Sequence, residues 1–147
     1  MLSLFGTAGD VPALIDGHPH LLSSAAAATL RTLTEHFECV WCTGWSDRAD
    51  AHLPHLLGLP GGWPHVTFFD HQPDPHWKLS GIDAYAGDER ALAWIDDGHD
   101  DACRAWAAAR RGPTLLISTD PRIGLLPEHA DVLREWVLRT TASSCSA

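Results

Sequence analysis

The sequence predicts an α/β domain in which a parallel sheet is flanked by helices. Four short apolar runs, ECVWCT (38–43), HVTFF (65–69), ALAWI (91–95) and TLLIS (114–118), alternate with stretches of helical length. Strands buried on both faces read as near-continuous apolar runs, and strands separated by helices build parallel sheets. The third observation is size. At 147 residues and 45% apolar, the chain can bury about 70% of its unfolded surface, enough for one core.

The elements follow in order. Ser23 or Ser24 can cap a helix running to about Phe37, and 38–43 is a strand that ends at Gly44. Ser46 can cap a second helix, SDRADAHLPHLLG, bent or broken by Pro54 and stopped by Gly58. After the 65–69 strand, DHQPDPH is a loop; Lys78–Ala86 is helix, Ala91–Ile95 strand, Asp100–Arg110 helix, Thr114–Ser118 strand and Glu128–Arg139 a closing helix. Residues 1–139 are read as one domain and 140–147, TTASSCSA, as a disordered tail. No internal repeat is present.

Charge and cysteine usage narrow the function. A formal charge of −9 repels polyanions on average, which excludes bulk electrostatic binding to nucleic acid or anionic membrane. No apolar run of roughly 18 residues is present and the start lacks a basic n-region, so a cytoplasmic protein is expected. Cys39, Cys42, Cys103 and Cys145 are too scattered for a disulfide framework, in agreement with a reducing compartment.

In open parallel sheets, ligands bind beyond the carboxyl ends of the strands. Those ends here carry Thr43–Gly44, Asp96–Asp97 and Thr119–Asp120. Two adjacent acids at the tip of a buried strand need compensation, most simply by a cation or a helix N-terminus. Lys78 is the single lysine among ten basic residues, which suggests a place where a compact ammonium is required. Thr43 can equally terminate its strand, Asp97 cap the next helix, and Asp120 serve a turn.

Other constellations compete. Cys39 and Cys42 form a CxxC, but within one strand such positions point to opposite faces, which disfavours a redox or zinc site. His52 and His55 share a predicted helix, while His18, His20, His71 and His76 fall in loops; no Cys or carboxylate completes a familiar zinc spacing. Trp41, Trp94, Trp106 and Trp136 read as packing residues, whereas Trp45 and Trp77, each next to a candidate residue, can contact substrate, with packing the commoner role for each.

Taken together, VWCTGW, LPHLLGLP, HWKL, LAWIDD and LLISTDPRIGL resemble the haloacid dehalogenase superfamily of phosphotransfer hydrolases, and more closely a group of small bacterial members related to the phosphatase-like domain of multidomain RNA-repair proteins. The resemblance implies a Rossmann-like fold and a Mg²⁺-dependent phosphatase. It assigns Thr43, Gly44 and Lys78 to the transferring phosphate, Thr43 and Lys78 thereby being catalytic, and Asp96 and Asp97 to Mg²⁺. Trp45 and Asp120 are the candidate substrate contacts, and a site without a cap domain could admit a bulky phosphate ester such as a nucleic-acid end or a phosphoprotein. The superfamily nucleophile, the first Asp of a DxD motif ending a central first strand, is not in this sequence. A start like DVDGVLSLFG is expected where the chain reads MLSLFG. A start codon placed too late, or a true truncation, would remove that strand from between Cys39–Thr43 and Ala91–Ile95 and leave the chain inactive. Residues 2–22 would then be a turn and a short flap. The alternative is a non-catalytic phosphate- or metal-binding protein.

Overall fold

The computed structural model describes residues 10–68 and 76–144. Phe69, the loop 70–75 with His71, the opening LSLFG segment and Cys145 lie outside the described residues. The elements are β1 (Asp10–Ile15), β2 (His18–Ser23), α1 (Ser24–Leu33), α2 (Asp47–Leu57), α3 (Leu79–Ala86), β3 (Leu92–Asp96), α4 (Asp101–Ala109), β4 (Thr114–Ser118) and α5 (Pro127–Ser144). The chain is a mixed α/β structure, and no helix among the described residues is long and apolar enough to cross a membrane.

β3 and β4 pair in parallel, Leu92 opposite Thr114 through Asp96 opposite Ser118. The predicted strands at 38–43 and 65–69 shrink to one parallel bridge, Trp41 with His65, held by Trp41 N–H to the Pro64 carbonyl and Val66 N–H to the Trp41 carbonyl, each 2.8 Å. The expected continuous sheet is therefore two separated parallel pairs. Their faces still agree. Trp41, Ala93, Ile95, Leu115 and Ile117 pack with Leu30, Leu53 and Leu133 of α1, α2 and α5. Val40, Cys42, Leu92, Trp94 and Leu116 pack with Ile82 and Cys103 of α3 and α4. Period-2 alternation thus sends successive side chains to two helical layers.

A cavity of about 400 Å³ separates the two pairs, lined by Val40 and Cys42 on one side and Ala91, Ala93 and Ile95 on the other. Leu92 N–H bonds the Pro113 carbonyl at 2.9 Å and the Asp96 carbonyl takes Thr119 N–H at 3.0 Å. In a parallel ladder alternate residues turn their backbone groups to opposite sides, so Ala93 and Ile95 present theirs to the cavity. By the same parity Val40 and Cys42 face it from the Trp41 side. Among the described residues, two strand edges thus face each other across this largely apolar cavity.

Several boundaries carry a physical correction. Residues 10–23, read as loop, form an antiparallel hairpin. Its turn is Asp16–Gly17 with φ of 52° and 79°, the primed geometry that matches strand twist. Ser23 caps α1 by accepting Ala26 N–H at 3.1 Å. Ser46 stands at the start of α2 but makes no side-chain cap, because its backbone is left-handed at φ 51° instead of extended. Pro54 lies inside α2 without ending it, and Gly58, left-handed at φ 62°, stops it as expected. α4 is capped by Asp100, whose Oδ1 accepts Cys103 N–H at 2.9 Å, so Asp97 does not cap it. α5 runs through Ser144, into the stretch read as a disordered tail.

Candidate functional site

The site is built on the end of β3. Asp96 shares its strand face with Trp94 and Leu92 and turns toward the layer of α3 and α4. Lys78 immediately precedes α3, so the packing of that helix delivers its ammonium to Asp96 Oδ2. Both residues are only 2% exposed. Trp94 Nε1–H donates to the same oxygen at 3.2 Å, and Gly98 N–H donates to Oδ1 at 2.9 Å. Burial works to raise the Asp96 pKa, but the Lys78 ammonium overcomes it and holds the carboxyl well below the ordinary range. The compensating cation demanded by the sequence is thus Lys78. Asp97 is half-buried beside it.

Thr43 and Gly44 stand at the same rim. The buried Thr43 hydroxyl accepts Trp45 N–H at 3.3 Å, and its carbonyl accepts Ser46 N–H at 3.0 Å, forming a tight turn after the strand. A Cβ on Gly44 would lie 3.7 Å from the Trp77 ring, and the Lys78 ammonium lies 5.0 Å from the centre of that ring. Trp77 therefore ties Thr43–Gly44 to Lys78 and Asp96. Trp45 flanks the turn, its ring edge-on to His20 at 5.2 Å. Thr119 adds a buried hydroxyl with no partner among the described residues. Asp120 closes a turn: its Oδ1 accepts Arg122 N–H at 2.8 Å, and its carbonyl accepts Gly124 N–H at 2.8 Å.

The donors at Asp96 and Asp97 are carboxylate oxygens, the hard ligands that suit Mg²⁺. Asp96 already holds the Lys78 ammonium on Oδ2 and the Gly98 N–H on Oδ1, so a metal there would share those oxygens with these donors. A separate group, His76, Asp100 and Cys103, has its ligand atoms within 4.8 Å of one another. Each already has a local task. His76 Nδ1 accepts Lys78 N–H at 3.3 Å, Asp100 caps α4, and burial pushes the Cys103 thiol up.

The remaining sequence candidates do not assemble into a site. Cys39, Cys42 and Cys103 are free. Cys42 packs against the α3 and α4 layer beside Val40, and burial raises its thiol to about 11, which opposes thiolate chemistry. His52 lies 3.8 Å from Asp16 of the hairpin turn, while His55 is exposed. Trp94 and Gly98 were not singled out by sequence, although Trp94 two residues before Asp96 on one strand face is a readable signal. Comparison with family models, curated proteins and solved structures finds no match to this chain.

Proposed function

We propose that this rim is a Mg²⁺-dependent phosphoryl-transfer site of the haloacid dehalogenase type, acting as a phosphatase in a cytoplasmic protein. The observation that carries the reading is the buried Lys78–Asp96 pair beside Thr43–Gly44, at the carboxyl ends of parallel strands. An ammonium held in a dry site is a strong anion ligand, since electrostatic attraction grows as water is excluded. In this reading Lys78 and the Thr43–Gly44 turn bind the transferring group, and Asp96 with Asp97 holds the metal. The metal, when bound, neutralises charge on the phosphate oxygens. Free cysteines among the described residues support a reducing compartment.

The reading needs a nucleophile that these residues do not supply. Among the described residues, the cavity between Val40–Cys42 and Ala93–Ile95 leaves room for one more parallel strand, which the reading requires. Such a strand would end at the rim beside Asp96, where its last side chain would meet the phosphate. A non-catalytic phosphate-binding protein is the second reading, favoured by the engagement of Asp120 with Arg122 and of Asp96 with Lys78, which leaves neither as an obvious attacking group.

The test is hydrolysis of p-nitrophenyl phosphate with Mg²⁺, by this chain and by a version extended through the codons upstream of Met1. Activity confined to the extended form and abolished by Asp96→Asn establishes the enzyme. A well-folded extended form that binds phosphate without turning over supports the binding protein. One that binds no phosphate rejects both.

A further inference from the structure

The rim carries more aromatic surface than a phosphate needs. Trp77 is 53% exposed and immediately precedes the buried Lys78, so its ring stands at the open edge of the site. Phe68 holds it edge-on from beneath, 4.8 Å between ring centres. Its other neighbours are Gly44, the Lys78 ammonium 5.0 Å from the ring centre and the His76 ring, stacked at 6.3 Å. Across the Thr43–Gly44 turn, Trp45 and His20 form a second edge-on pair. Two aromatic walls therefore flank the one buried cation of the described residues that sits at a strand end.

We infer that this rim binds a mononucleotide, with its phosphate at Lys78 and Thr43–Gly44 and its base against Trp77. The inference rests on the phosphate-site reading above and deepens it by naming the substrate class. Every base has a π face that stacks on an indole regardless of sequence. A base also carries in-plane acceptors, which the Trp77 indole N–H, without a partner among the described residues, can meet. A plain aryl phosphate offers the ring alone. The formal charge of −9 disfavours a long nucleic acid, whose many phosphates would be repelled, far more than a single nucleotide.

The experiment is calorimetric titration of the full chain, in Mg²⁺, with AMP, ribose 5-phosphate, inorganic phosphate and phosphotyrosine. AMP is expected to bind about tenfold more tightly than ribose 5-phosphate, the increment of one stacked base. Trp77→Ala should bring that ratio close to one, and Trp77→Phe should keep most of it. An AMP to ribose 5-phosphate ratio near one in the unaltered chain, or an unchanged ratio in Trp77→Ala, overturns the inference while leaving the phosphate site standing. Phosphotyrosine binding more tightly than AMP overturns the nucleotide assignment in favour of an aryl ester. If no phosphate compound binds, the phosphate-site reading fails and this one with it.

Discussion

The Lys78 ammonium reaches the Asp96 carboxylate across 18 residues of sequence, and both groups are buried. Such a pair stabilises little relative to a hydrocarbon replacement, but breaking it strands a charge. Lys78→Met is therefore expected to cost roughly 3 to 5 kcal/mol. Asp96→Asn is also expected to destabilise, because the ammonium loses its counter-charge and the single amide oxygen can accept from only one of the Trp94 and Gly98 N–H groups. The double variant Lys78→Met/Asp96→Leu should recover much of the single-variant loss. Urea unfolding followed by tryptophan fluorescence checks all three, and a double variant no more stable than Lys78→Met refutes the coupling.

The same pair sets an acid limit. The Asp96 carboxyl is held below its ordinary value of 3.8, so the folded state binds its proton more weakly than the unfolded state does. Its contribution is fully present above about pH 4 and is lost as pH falls through the folded value. Unfolding midpoints should therefore drop steeply below pH 4, and the drop should shrink in Asp96→Asn. A variant with an unchanged acid profile would assign the acid sensitivity to other carboxylates.

Cys42, raised to about 11 by burial, should resist iodoacetamide at pH 7. Its alkylation rate in the native chain should climb with pH up to that value, because the thiolate is the reacting species. Mass mapping of the labelled peptide reads this. Rapid labelling at neutral pH would revive a thiol-based function for the CxxC.

Two glycines separate backbone freedom from crowding. Gly17 has φ 79°, with nothing within 4 Å of a Cβ placed there, so Gly17→Ala should cost about 1 to 2 kcal/mol from conformation alone. At Gly112 an added Cβ collides with the Glu89 and Arg90 carbonyls, so Gly112→Ala should cost about 3 kcal/mol. Thermal unfolding of the two variants should rank them in that order.

How far the fold was legible followed the strength of local periodicity. Thr114–Ser118 appears with the bounds read from sequence, and Leu79–Ala86 within a residue of them, because apolar runs and helical spacing were unbroken there. The hairpin was missed although Asp16–Gly17 is a strong turn signal. Pro12 and Pro19 sit inside its strands and pair with Leu21 and Leu14, and prolines ordinarily argue against a strand. The last turns of α5 were missed because TTASS has the composition of a tail. Thr140 and Thr141 instead turn their hydroxyls back to the Trp136 and Val137 carbonyls. At the site, the order of Thr43, Lys78 and Asp96 was readable, but the direct ammonium–carboxylate contact was not. It depends on how α3 docks, which no local pattern encodes. The role of Asp120 divides the same way, since its bonds to Arg122 are short-range and belong to a turn.

The gap between Val40–Cys42 and Ala93–Ile95 also bears on handling the protein. Backbone donors and acceptors that have no neighbour among the described residues are templates for an extended segment, of this chain or of another copy. Apolar walls on both sides reward whatever enters. Purification yield and sedimentation of this polypeptide should therefore depend on concentration, with cross-strand association competing with the monomer. A chaperone that holds extended apolar segments should copurify with it.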